Sequence, residues 1–110
     1  MSTVTVSCCD QPLTELTFDI SQANELVLKV TYTRTGLPIP NNSVVMASLY
    51  DGGAMIENSE IAMGPEGNGV FSGVFPILVT MEKNRCYDLR ITVDIGPTRV
   101  IDKRFPVTTV

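Results

Sequence analysis

Apolar and polar residues alternate with a period of two along three segments of this 110-residue chain. Such alternation places apolar side chains on one face of a β-strand and polar ones on the other, so each segment predicts a half-buried strand. Helix is disfavoured, because no window of about 11 residues or more carries a helically spaced apolar stripe free of glycine, proline or clustered β-branched residues. The alternating apolar residues are Leu16, Phe18 and Ile20, then Leu26, Leu28, Val30 and Tyr32, and finally Tyr87, Leu89, Ile91 and Val93.

Residues that favour turns separate the apolar runs at short and nearly regular intervals. This spacing is typical of an all-β domain whose strands are joined by hairpins. Asn68 and Gly69 both tolerate a positive φ, which predicts a tight hairpin between strands at 61–63 and 70–72. About seven strands are expected from this pattern, with a further piece at 3–9, and the connections are too short for a crossover helix. The turn segments are 21–24, 36–42, 51–53, 64–69, 83–84 and 96–97.

The composition is that of one acidic domain, spanning residues 1–110. Eight lysine and arginine residues against twelve aspartate and glutamate residues give a formal net charge of -4. The cations form no basic run, so neither nucleic acid nor an anionic membrane is an expected partner. The amino terminus lacks a basic segment followed by a long apolar one, and no stretch reaches the ~20 apolar residues of a membrane span. We therefore expect no signal peptide, and a location in the cytoplasm or in a virion.

Three cysteines, Cys8, Cys9 and Cys86, are too few for the disulfide framework of a small secreted domain. Reduced thiols are the expectation. One bridge from Cys8 or Cys9 to Cys86 stays open, because a first strand and a late strand can meet in a sandwich. The spacing of the three thiols does not match a zinc site, and no metal is expected.

The chain contains no histidine, which removes the commonest general base and the usual transition-metal ligand. A reactive thiolate needs a nearby cation, whereas Cys9 is followed by Asp10. The glycine-rich segment 64–69 lacks the lysine and the following helix of a phosphate loop. We expect a protein without enzymatic activity and without a cofactor.

Two apolar stretches are candidates for a contact surface. Residues 43–50 are apolar on both faces, which predicts either a central strand or a strand whose outer face is covered. Residues 75–79 contain a proline and predict a loop or an edge, which either forms an exposed patch or folds back over the core. The predicted interface residues are Met46, Tyr50, Phe75, Ile77, Leu78 and Val79.

Four segments together resemble the immunoglobulin-like modules of bacterial surface proteins, macroglobulin-type domains and bacteriophage virions. They are 35–39 (Thr-Gly-Leu-Pro-Ile), 44–51, 69–73 (Gly-Val-Phe-Ser-Gly) and 86–93. The resemblance implies an all-β, immunoglobulin-like sandwich of about seven antiparallel strands. It also places Tyr87 like a tyrosine-corner residue, whose hydroxyl bonds back to the chain. It implies no catalytic residue.

Two functions fit these features. The favoured one is a non-catalytic structural or interaction module, such as a phage or prophage capsid or tail component, whose partners are other protein subunits or further copies of this chain. The alternative is a sandwich that binds a small ligand or a carbohydrate. That alternative needs an exposed aromatic platform, for which Tyr50 and Phe75 are the candidates because four of the other aromatics are predicted to be internal. Those four are Phe18, Tyr32, Phe71 and Tyr87.

Overall fold

The computed structural model describes residues 2–8, 16–32, 35–77 and 81–110, and within them every regular element is a β-strand. None of the described segments is a helix that could cross a membrane. The prediction of an all-β fold is confirmed. The strands are β1 (Ser2–Cys8), β2 (Leu16–Phe18), β3 (Asn24–Val30), β4 (Val44–Asp51), β5 (Ala54–Met55), β6 (Ile61–Gly67), β7 (Val70–Phe75), β8 (Cys86–Ile95) and β9 (Thr98–Thr109).

The strands form one mixed sheet in the order β1-β3-β7-β6-β4-β8-β9-β2, with β5 paired to β4. The two outermost strands, β1 and β2, also approach each other, so the sheet curls into a nearly closed barrel. Both pair in parallel with their neighbours, β1 with β3 and β2 with β9. This differs from the expected sandwich of about seven antiparallel strands, because side-chain alternation reveals a strand but not the direction of its partner.

Strand β6 forms a corner of the barrel, because its two halves pair with different strands. Its first half pairs with β4, where Ile61 lies opposite Ala47, and its second half pairs with β7, where Gly64 lies opposite Ser72. The register shifts between Pro65 and Gly67. Proline has no backbone N–H to donate to the neighbouring strand. Strands therefore tolerate proline mainly at irregularities of this kind.

The core contains the inward-facing residues that the alternation predicts, including Leu28 on β3 and Leu89 on β8, both fully buried. Tyr32 is the exception. It was expected inside but is 42% exposed, because β3 ends at Val30 and the chain turns away from the sheet. The largest fully buried side chains are Phe18, Phe71, Phe75, Leu26, Leu28, Leu49, Leu89, Ile91, Val6, Val30, Val45 and Val93.

The predicted Asn68-Gly69 hairpin joins β6 to β7. Both residues have positive φ, 54° at Asn68 and 76° at Gly69, as a tight hairpin of this kind requires. The Gly69 carbonyl accepts a hydrogen bond of 2.8 Å from the Val30 N–H. A β-carbon at Gly69 would lie only 2.4 Å from the Val30 carbonyl oxygen, so the turn packs too closely for any side chain.

Candidate contact surface

The structure separates the residues predicted to form one interface. Phe75 is the last residue of β7 and is only 1% exposed. Its ring packs against the Phe18 ring with centroids 5.5 Å apart, so it belongs to the core and its assignment as a contact residue is wrong. Ile77 lies beyond the strand and is 55% exposed. Leu78 and Val79 lie outside the described residues.

Strand β4 is central, as one of the two alternatives for 43–50 predicted. It pairs with β6 and β5 on one side and with β8 on the other. Val45, Ala47 and Leu49 point into the core and are buried. Met46 and Tyr50 point outwards, where Met46 is half-buried and Tyr50 is only 8% exposed. The outer face is therefore also covered, at its Tyr50 end.

Two arginines cover Tyr50, Arg90 on the neighbouring strand β8 and Arg104 on β9, the next strand in the sheet. The Arg104 guanidinium carbon lies 4.4 Å from the centre of the Tyr50 ring, within the range of a cation–π contact. The Arg90 Nη1 donates a 3.2 Å hydrogen bond to the Tyr50 hydroxyl. Tyr50 and Phe75 therefore do not form the exposed aromatic platform that the carbohydrate-binding alternative needs, and of the seven aromatic side chains only Tyr32 is exposed.

Asp102 balances the charge of this arginine pair. Arg90 and Arg104 are direct cross-strand neighbours, an arrangement that is unfavourable for like charges. Arg90 Nε and Nη2 each donate a 2.9 Å hydrogen bond to one Asp102 carboxylate oxygen, which forms a bidentate ion pair. These hydrogen bonds lower the pKa of Asp102 and raise that of Arg90. Hydrogen bonds and the cation–π contact therefore link Tyr50, Arg90, Arg104 and Asp102 on the outer face.

Strand direction defines two ends of the barrel. The hairpin end carries the turns at 68–69 and 96–97 and the described parts of the 31–43 connection. The acidic end carries residues 19–23, 52–60, 76–77 and 81–85 together with Val110. Large apolar side chains that remain exposed among the described residues all lie at or beside an end. Tyr32, Leu37, Val44 and Val100 lie at the hairpin end, and Met55, Val74, Ile77 and Val110 at the acidic end.

Charge is distributed unevenly along the barrel. Carboxylates outnumber cations at the acidic end, whereas cations outnumber carboxylates over the rest of the described barrel. The acidic end carries Asp19, Glu25, Asp51, Glu57, Glu60, Glu82 and Asp88 against Lys83 and Arg85. The remainder carries Lys29, Arg90, Arg99, Lys103 and Arg104 against Glu66, Asp94 and Asp102.

The cysteines do not form a described site. Cys86 is a free, exposed thiol at the first residue of β8, which lies at the acidic end. Cys8 ends β1 at the hairpin end. The backbones of Cys8 and Cys86 thus lie at opposite ends of the barrel, farther apart than the bridge left open between them could span. Cys9 lies outside the described residues, and in the part that is described no three acidic or cysteine residues gather to hold a metal ion.

A small cleft opens at the acidic end between the core and the turn at 19–23. Phe18, Asn24, Phe75 and Met81 contribute to its walls. It has room for about one water molecule. Small-molecule sites typically reach about 300 Å³ or more, so this cleft does not match one.

Comparison with known proteins finds similarity at the level of structure and not of sequence. No protein-family model matches the sequence, and no curated protein matches it. Among solved structures, the fold is similar to the N-terminal domain of phage TP901-1 ORF48, with a TM-score of 0.57 and 11% sequence identity. The match covers 98% of this chain and 96% of the other. At this identity the likeness shows a shared fold and nothing finer.

Proposed function

We propose that this chain is a non-catalytic structural module of a phage or prophage virion, which acts through contacts with other protein subunits. The observation that carries this proposal is the fold. The domain that it resembles comes from a phage protein, and the similarity extends over nearly all of both chains.

The surface supports a contact role. Exposed apolar side chains such as Leu37 and Ile77 lie at the two ends of a barrel whose sides are mainly polar or covered. Apolar surface of this kind gains free energy when a partner removes it from water. The ends are therefore the surfaces that the proposed module would use.

The described side chains also favour a role without catalysis. Two of the described aspartates are held in ion pairs, Asp102 with Arg90 and Asp94 with Arg99. The sequence supplies no histidine to act as a base. A virion component that only makes contacts needs neither group to be free.

Purified particles test this function. Phage particles produced by the source strain should be banded on a density gradient and analysed by quantitative mass spectrometry. We expect the chain to band with the particles at a fixed ratio to the major structural protein, and to remain after a high-salt wash. Absence from the banded particles, with the chain recovered only in the free protein fraction, would contradict a virion role. A glycan that reproducibly raises the melting temperature of the purified domain would instead favour the ligand-binding alternative.

A further inference from the structure

We propose that Lys103 prevents the open edge of β9 from pairing with a strand of another protein molecule. The open edge is the side of residues 98–106 that faces away from β8. This role does not depend on the proposed function, because it concerns a sheet edge at the side of the barrel and not the surfaces at its ends. Three observations support it: the length of the edge, the position of Lys103 on the strand, and two irregularities on either side of that residue.

Strand β9 has a neighbour along nearly all of one side but along only a short part of the other. It pairs with β8 over residues 98–108. On the opposite side, β2 pairs only with residues 107–109. Among the described residues, no strand therefore pairs with 98–106 at the open edge. Backbone N–H and C=O groups along such an edge can pair with a strand of another molecule, which is how exposed edges lead to aggregation.

Lys103 occupies a core-facing position on this edge. Its partner on β8 is Ile91, which is fully buried, and residues directly opposite each other place their side chains on the same face of the sheet. The neighbouring residues on that face of β9 are Phe105, which is buried, and Ile101, which is partly buried against the core. Lys103 itself is exposed. The strand thus places a charge where its alternation would otherwise place an apolar side chain.

A lysine at this position makes the addition of a strand unfavourable. A strand that paired with the open edge would bring its own side chains beside Lys103 and displace water from the ammonium group. Lys103 makes no ion pair with any described residue, so that charge would lose hydration without gaining a partner within this chain. Natural sheets protect open edges with inward-pointing charges and with lysine in particular.

Two irregularities on the same edge oppose strand addition as well. The register with β8 shifts at Val100, which has no partner on β8 and bends β9 at that point. Pro106 has no N–H, yet the pairing with β8 continues through it, so the missing donor lies on the open side. An added strand would therefore find regular pairing only between Val100 and Pro106, and Lys103 lies in the middle of that stretch.

The experiment replaces Lys103 in the full chain. Lys103→Val removes the charge and adds a residue with high β-propensity, Lys103→Thr is a second uncharged variant, and Lys103→Arg keeps a cation at the edge. Lys29→Val is the matched control, because Lys29 is also exposed but lies on β3, which has β1 on one side and β7 on the other. It changes the net charge by the same amount as Lys103→Val. Melting curves first establish which variants keep the fold.

Sedimentation velocity over a concentration series then measures association. We expect Lys103→Val and Lys103→Thr to associate at a protein concentration about tenfold lower than the unmodified chain requires, which corresponds to about 1.4 kcal/mol. Lys103→Arg and Lys29→Val should behave like the unmodified chain. Hydrogen exchange locates the contact: the β9 amides that point away from β8 should exchange rapidly in the unmodified chain and become protected in associated Lys103→Val.

Other outcomes overturn the proposal. Protection of those β9 amides in the unmodified monomer would mean that the edge is already covered. Equal association of Lys103→Val and Lys29→Val would attribute the effect to the lost charge and not to the edge. Uncharged Lys103 variants that associate no more than the unmodified chain would show that Lys103 protects nothing. None of these results decides whether the chain bands with purified particles, so the proposed function stands or falls separately.

Discussion

The phenol oxygen of Tyr87 accepts a hydrogen bond from the backbone N–H of Glu82 at 2.7 Å. The Tyr87 ring is buried beneath the start of β8, so the bond ties the segment that precedes the strand to the core. The resemblance to immunoglobulin-like modules implies that the Tyr87 hydroxyl bonds back to the chain. This expectation is confirmed.

Replacing Tyr87 with phenylalanine tests the contribution of that bond. The ring remains in the core while the Glu82 N–H loses its acceptor, and the loss of a partly buried hydrogen bond costs about 0.5–1.5 kcal/mol. Urea denaturation should show this loss in the free energy of unfolding. Tyr32→Phe is the control, because the Tyr32 side chain is exposed and its change should stay within about 0.5 kcal/mol. Equal effects of the two substitutions would mean that the Glu82 bond adds nothing.

Gly69→Ala should destabilise the domain far more than Gly36→Ala. Both glycines have positive φ, 76° and 68°, so each substitution incurs the backbone penalty of about 1–2 kcal/mol. Only at Gly69 would the new β-carbon also collide, 2.4 Å from the Val30 carbonyl oxygen and 2.9 Å from the Pro38 β-carbon, whereas Gly36 has nothing within 4 Å. Chemical denaturation of both variants isolates the collision, and similar losses would show that the hairpin can move away from Val30 without cost.

Local pattern explains which parts of the fold could be predicted. The alternation on β3 and β8 identifies which side chains face the core. The two residues Asn68 and Gly69 are enough to predict the hairpin turn, because both tolerate a positive φ. Tyr32 continues the alternation of β3 but lies past its last pair, and no local signal marks the bend. The parallel pairing of β1 with β3 and of β2 with β9 brings together segments that are distant along the chain. Alternation within one strand cannot predict which strand becomes its partner.

The contact residues were harder to predict, because exposure depends on neighbours that are remote in sequence. Tyr50 is covered by Arg104, which is brought beside it only by the order of β4, β8 and β9. Phe75 is buried because β7 reaches the Phe18 ring rather than ending before it. Ile77 was predicted as exposed patch or lid, and the structure shows it exposed.

Stability should fall in acid partly through Asp19. Hydrogen bonds from the Ser21 hydroxyl, the Gln22 amide and the Ser21 N–H lower the pKa of Asp19 to about 2. Because its folded pKa lies below the ordinary value of about 3.9, the stabilisation is complete above that value and is lost as the pH falls towards 2. Melting temperatures of the unmodified chain and Asp19→Asn, measured from pH 6 to pH 2, should therefore converge in this window. Curves that stay parallel would contradict the assignment, and Glu57→Gln controls for the loss of one surface charge.

Asp102→Asn should leave Arg90 and Arg104 facing each other without a neutralising carboxylate. The two arginines are direct cross-strand neighbours, and the asparagine has a single acceptor oxygen, so Arg90 keeps at most one of its two 2.9 Å hydrogen bonds to this residue. We expect a lower melting temperature at low salt, and a difference that shrinks in high salt, because ions screen exposed charges. The double variant Asp102→Asn with Arg104→Gln removes the opposed charge and should recover part of the loss. A deficit that is independent of salt, or a double variant no better than the single one, would show that repulsion between the arginines is not the cause.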